Sequence, residues 1–151
     1  MIKISGKHLT VDMYGCKSNA LNNIEFIRTA MLTALKESNL TLLNFTYHQF
    51  DSQRVIAVAI LEESHMNIHT YPELSYAAID IFTCGDPSRA DKAVALLKNF
   101  LKPERTKITN IRRGDFISES DIRPKIKISI APLRRVRSTG ARVLRFLSRT
   151  K

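Results

Sequence analysis

Thr41 to Cys84 reads TLLNFTYHQF (41–50), VIAVAIL (55–61), SHMNIHT (64–70) and YAAIDIFTC (76–84), with only short polar or proline-bearing joints between the pieces. The first and last are rich in β-branched and aromatic residues, which suit a pleated, half-buried surface. Leu43, Phe45 and Tyr47 share one side of the first strand by simple alternation. VIAVAIL is a continuous apolar run of strand length, the pattern of a strand central in its sheet. Ser64 to Thr70 is polar and alternating, and Pro72 then interrupts the chain. No helix fits between these strands.

Outward from this block, His8 to Gly15 (HLTVDMYG) predicts a short strand. Asn22-Asn23-Ile24-Glu25 predicts a helix start, with Asn22 as the cap and Glu25 three residues on. Ile24, Ile27, Met31 and Leu35 follow at helical spacing, so this helix buries one face and ends near Ser38. Gly85-Asp86-Pro87 predicts a turn into a second helix, Asp86 as cap and Pro87 at its first position. Ala90, Ala93, Val94, Leu97 and Leu101 are its buried stripe, and Arg105 to Arg113 closes the core as a last strand. The order predicts an α+β fold, a two-layer α/β sandwich with a mainly antiparallel sheet and both helices on one face. A doubly wound parallel sheet needs more crossover helices, and no convincing internal repeat is present.

The chain has 151 residues and a net charge of +10. The charge is uneven: residues 117–151 hold ten Lys or Arg and two acids, whereas residues 1–116 hold fourteen and twelve. The basicity therefore describes a tail, and a nucleic-acid role for the body does not follow from it. We expect one domain over 1–116 and a basic C-terminal extension over 117–151. In that extension Lys125 to Ile130 alternates like an edge strand, and seven basic residues in 132–151 have no acid among them. Two readings stand for it: a solvated, partly disordered extension, or attachment to a nucleic acid or anionic surface. No apolar run reaches membrane-helix length and the first residues carry no signal-peptide core, so a cytoplasmic location is expected. Cys16 and Cys84 are too few for a secreted disulfide scaffold and are expected to be reduced.

Chemistry-bearing residues are densest from Glu62 to Glu73: two glutamates in series, Ser64, His65, His69, Tyr71 and a further acid. His65 and His69 face the same side of a strand, but no further ligands at zinc spacing accompany them, and no metal is expected. Ser64 is not in a Gly-x-Ser-x-Gly turn, which weakens a hydrolase reading. The plain reading of this stretch is a polar strand edge.

ESHMNIHTYPE (63–73) closely resembles the ESH…IHT(W/Y)PE signature of bacterial and archaeal S-adenosylmethionine decarboxylases. The resemblance continues through YAAIDIFTCGD (76–86), GKHLTVDMYGC (6–16) and the Phe50 region, covering roughly residues 5–114. It implies a self-cleaving proenzyme. Ser64 attacks the carbonyl of Glu63, the chain parts between residues 63 and 64, and Ser64 becomes a covalent pyruvoyl cofactor that holds the substrate as a Schiff base and acts as an electron sink. It further implies His69 as the acid or base of processing and Cys84 as the proton donor to the substrate carbon. Phe50 and Tyr71 are implied to contact the adenine, and Glu73 to bind the ribose hydroxyls. The partners implied are S-adenosylmethionine and a second copy, in a homodimer of processed units whose product feeds spermidine synthesis.

Three positions depart from the family pattern. Where it has Gly-Val-Ser entering the central strand, this chain has Arg54-Val55-Ile56, and isoleucine has no hydroxyl to help the processing intermediate. Lys17 follows the YGC motif where an acid is usual, and Asn67 replaces a serine or threonine. Two alternatives arise from these departures: a pyruvoyl-dependent arginine or ornithine decarboxylase, and an unprocessed, non-catalytic homologue that binds a partner through the basic tail.

Overall fold

Residues 6–84 and 86–114 are described in this computed structural model, and among them alternating apolar residues build one sheet under two long helices. The strands are β1 (Gly6–Tyr14), β2 (Leu42–Gln49), β3 (Val55–Leu61), β4 (Ser64–Tyr71), β5 (Tyr76–Thr83) and β6 (Arg105–Arg113). The helices are α1 (Ser18–Leu21), α2 (Ile24–Glu37) and α3 (Pro87–Leu101), with a 3₁₀ turn at Pro72–Leu74. The sheet order is β2-β3-β4-β5-β1-β6, and every neighbouring pair is antiparallel. This is the predicted α+β sandwich. The expectations for the tail over 117–151 and for the turn at Gly85 lie outside the described residues.

Register sorts the side chains. Ala57, Ile68, Ile79 and Val11 stand opposite one another across β3, β4, β5 and β1, and all four are buried under the helices. Many inward residues are small: Ala57, Ala59 and Ala77 on the sheet, Ala30, Ala34, Ala90 and Ala93 on the helices. Small facing residues let helix and sheet approach closely, while Met31, Leu35, Leu97 and Met66 fill the space between. Lys7 reaches Asp91 at 2.6 Å and ties β1 to α3.

The structure corrects several expectations. VIAVAIL is interior but second from the sheet edge, beside β2. Its inward residues Val55, Ala57, Ala59 and Leu61 are buried, whereas Ile56 and Val58 are half-buried and Ile60 is 46% exposed on the other face. β4 is no sheet edge; it lies between β3 and β5. β6 does not close the core, because it is an edge strand exposed along almost its whole length, with Ile108 50% exposed. In β2, Phe45 packs on the core while Leu43 and Tyr47 remain exposed, and the pairing shifts between Leu42 and Asn44.

The start of α2 differs by one residue. Asn23 is the cap, its Oδ1 accepting the Phe26 N–H at 3.0 Å, while Asn22 closes the short α1 that precedes it. Two adjacent asparagines can each cap, and the four-residue α1 has too little periodicity to be seen in sequence. The Asn22 carbonyl instead accepts from Gln49 Nε2 at 2.7 Å. Asn23→Ala should therefore lower stability by about 1 kcal/mol in urea denaturation, and Asn22→Ala, whose side chain caps nothing, by a small fraction of that.

Candidate functional site

The β3–β4 hairpin turns through Glu62 and Glu63, so Ser64 begins β4 opposite Leu61 on one side and Thr83 on the other. That register carries the end of β5 alongside the 63–64 peptide bond. The Cys84 N–H donates to the Glu63 carbonyl oxygen at 3.1 Å, and Ser64 Oγ lies 3.7 Å from Cys84 Sγ. Ser64 has φ of 151°, a backbone conformation an L-residue rarely adopts, with strain of about 1–3 kcal/mol. The Glu63 side chain is fixed from three directions. Its carboxylate accepts from Thr41 N at 3.0 Å and Thr41 Oγ1 at 3.3 Å, and Arg89 Nη1 stands 3.4 Å away. A polarised carbonyl, a neighbouring hydroxyl and a strained peptide between them suit acyl transfer from nitrogen to oxygen.

The two cysteines differ. Cys84 is exposed beside Ser64, whereas Cys16 is buried, donates to the Met13 carbonyl at 3.7 Å, and has its thiol pushed up to about 11 by burial. Thiolate is the reactive form, so Cys16 is inert in the native fold.

The other predicted residues are not at this end. His69 lies five residues along β4 from Ser64, about 16 Å at the usual strand rise, and pairs with Ile56 and Ala78 on the face away from the helices. Phe50 and Tyr71 are farther still, at the opposite end of that open face. There the Arg54 guanidinium lies 4.4 Å from the Phe50 ring centre and 5.4 Å from that of Tyr71. The row continues across the sheet: Tyr71 stacks on Tyr76 at 5.6 Å, Tyr76 neighbours Tyr14 at 5.2 Å, and Arg105 covers Tyr14 at 4.5 Å. Tyr76 donates its hydroxyl to Asp12, and burial first, then that bond, raises its pKa. Glu73 is exposed in the 3₁₀ turn after β4. Thus one chain brings Glu63, Ser64 and Cys84 together, and separately Phe50 and Tyr71, with His69 one row in from the latter pair.

Between the two ends the open face carries Asn67, Asp80 and Thr10 in one cross-strand row. His8 Nε2 is 3.4 Å from Asp80 without hydrogen-bond geometry, and Asn67 Oδ1 is buried without a partner. Lys17 is elsewhere: with Lys102, Phe26 and Phe100 it lines a cleft of about 440 Å³ beside the helices. No group of three or more His, Cys, Asp or Glu among the described residues is arranged to hold a metal. No described helix is long and apolar enough to cross a membrane.

Sequence reasoning missed the Cys84 amide, because a backbone donor carries no residue signature. It missed the stacking role of Arg54, which depends on the β2–β3 register. At pH 8, iodoacetamide should label Cys84 within minutes and leave Cys16 untouched until the protein is denatured, read by peptide mass spectrometry.

Residues 7–114 match the family described as S-adenosylmethionine decarboxylase. A relative named S-adenosylmethionine decarboxylase proenzyme, from Methanococcus maripaludis, is 42% identical over 113 residues, which are 75% of this chain and 93% of the relative. One of the same name from Parasynechococcus marenigrum is 43% identical over 108 residues, 72% of this chain and 84% of the relative. Among solved structures, the adenosylmethionine decarboxylase of Aquifex aeolicus superposes with a TM-score of 0.71 at 36% identity, covering 75% of this chain and 93% of that one. A family match over residues 7–114, with relatives 42% and 43% identical along most of their own lengths, places this chain in the S-adenosylmethionine decarboxylase family.

Proposed function

We propose that this protein is a self-processing, pyruvoyl-dependent decarboxylase of S-adenosylmethionine, whose product is the aminopropyl donor for spermidine synthesis. The observation that carries the reading is the hydrogen bond from the Cys84 amide to the Glu63 carbonyl beside the Ser64 hydroxyl. In processing, Ser64 Oγ adds to the Glu63 carbonyl carbon and the Cys84 N–H stabilises the oxyanion that forms. The C–N bond then breaks, turning the amide into an ester. Loss of the Ser64 Cα proton expels the Glu63 carboxylate, and water replaces the nitrogen of residue 64, released as ammonia. Residues 63, 64 and 84 fit such a group: the carbonyl is polarised, the hydroxyl is adjacent, and strain at Ser64 favours opening the peptide.

When formed, the pyruvoyl group supplies a ketone that draws electrons from the substrate carbon losing carbon dioxide. The chain's own residues bind and move protons. Cys84, exposed next to residue 64, donates the proton to that carbon. Phe50 and Tyr71 stack the base, and Glu73 accepts from the ribose hydroxyls.

This reading requires two copies. Tyr71 is seven residues from Ser64 along one strand, about 23 Å, so rings and cofactor of one chain cannot hold the same substrate. The open face also presents Ile56, Val58 and Ile60, apolar residues that no helix of the described chain covers. Two open faces packed about a two-fold axis running across the strands bury those residues. They also set the Ser64 end of one copy over the Phe50, His69 and Tyr71 end of the other. His69 then serves as processing acid or base in the neighbouring copy.

The experiment is a denaturing intact-mass spectrum of the full chain, with and without borohydride. Two fragments parting between Glu63 and Ser64, the 64–151 fragment gaining two hydrogens on reduction, are expected, and Ser64→Ala should stay whole. Cys84→Ala keeps its backbone N–H, so it should still cleave while turnover of S-adenosylmethionine falls at least about a hundredfold. A wild-type chain that stays uncut on prolonged incubation overturns the reading.

A further inference from the structure

Arg54 stands within the ring row at the Phe50 end of β3, and its surroundings are unusual for an arginine. The β2–β3 turn presents it rigidly: the Phe50 N–H donates to the Arg54 carbonyl at 2.8 Å, and the Gln53 N–H to the Phe50 carbonyl at 2.9 Å. This continues the β2–β3 register and puts Phe50, Arg54 and Tyr71 on the open face as neighbours in one row. The guanidinium therefore stands between the two rings, 4.4 Å from one and 5.4 Å from the other. Its Nε is buried without a hydrogen-bond acceptor, and no acid pairs with Arg54 among the described residues. A guanidinium stays charged at every relevant pH. The chain thus keeps a positive charge with no acid beside it, held only by two aromatic rings.

We infer that Arg54 is the specificity determinant of the distal end of the substrate site, accepting a flat, uncharged, hydrogen-bond-accepting base and rejecting a substrate whose distal end is a cation. The inference rests on the proposed decarboxylase reading for its substrate. A planar guanidinium stacks on a heteroaromatic base, and its terminal N–H groups can donate to the ring nitrogens of that base. The ammonium of ornithine or the guanidinium of arginine, brought to the same rings, meets a like charge in a partly desolvated place. Arg54 therefore separates the two substrate classes that one pyruvoyl chemistry could serve. It is remote from the Ser64–Cys84 end of its own chain, and its role is in binding the distal base, with no proton or bond assigned to it.

The test compares wild type, Arg54→Ala and Arg54→Lys as full-length, processed protein, with arginine and S-adenosylmethionine as probes. Arg54→Ala should raise KM for S-adenosylmethionine about tenfold, an amount typical of one cation–π and hydrogen-bonding partner, with kcat within twofold of wild type. Arg54→Lys, which keeps charge but not the planar fork, should recover less than half of that loss on a logarithmic scale. Arginine should inhibit Arg54→Ala competitively at concentrations that leave wild type and Arg54→Lys unaffected. An unchanged KM in Arg54→Ala, or equal arginine inhibition in all three, overturns the inference while leaving the decarboxylase reading standing. If wild type cleaves but does not turn over S-adenosylmethionine, the substrate reading fails. The inference is then judged on binding alone: adenosine must raise the melting temperature of wild type more than of Arg54→Ala, and the reverse order overturns it.

Discussion

The antiparallel register that sets Ser64 against Leu61 on one side and Thr83 on the other decides where every reactive group stands. A strand repeats its faces every two residues, so a slip of one position would exchange the buried and open sets throughout β4. The buried set, Met66, Ile68 and Thr70, pins that register, because each is enclosed beneath the helices. Thr70 adds a specific clamp: its hydroxyl accepts from the Val55 N–H at 2.9 Å and holds the far end of β3 against β4. With those positions fixed, the Cys84 amide donates to the Glu63 carbonyl. The geometry proposed to drive processing is a by-product of core packing.

The same register explains why, on the proposed reading, a single chain holds two half-sites. His69 and Tyr71 stand five and seven places along β4 from Ser64, so most of the strand's length separates them from it. No side-chain motion bridges that distance, whereas a second sheet laid face to face does so without any rearrangement. The apolar outer residues of β3 point the same way. A continuous apolar run signals a strand covered on both faces, and among the described residues the helices cover only one. On the proposed pairing of two copies, VIAVAIL carries information about an interface as well as about a core.

Much of this was legible in the sequence because it rests on periodicity and on a dense motif. The alternation in TLLNFTYHQF and YAAIDIFTC located strands to within a residue or two, and the spacing of Ile27, Met31 and Leu35 located the face of α2. What escaped has physical causes. Choosing between Asn22 and Asn23 depends on which residue leaves helical geometry, a matter of backbone angle. β6 looks like a core strand, but alternation cannot say whether a helix reaches over it, and none of the described helices covers Ile108. The separation of His69 from Ser64 was hidden by their nearness in sequence. Five residues are a short step in a helix or loop but a long one in an extended strand.

Register also changes the meaning of Ile56. Judged from the family pattern alone, isoleucine in place of serine removes a donor from the processing site. In the fold Ile56 lies opposite His69, at the other end of the open face from its own Glu63 carbonyl, and the donor to that carbonyl within the chain belongs to the backbone of Cys84. A backbone N–H survives every substitution except proline, so the proposed acyl shift keeps one oxyanion donor whatever stands at position 56. A serine there would act only across the paired faces, on the other copy, and its loss weakens one of two supports. Ile56 also stands one row from Arg54, between His48 and His69. The two departures on β3 thus sit side by side at the end proposed to receive the distal part of the substrate, far along the strand from their own chain's Glu63–Ser64 bond. On the proposed reading, the two substitutions bear on what the site admits and leave in place the Cys84 amide that supports cofactor formation.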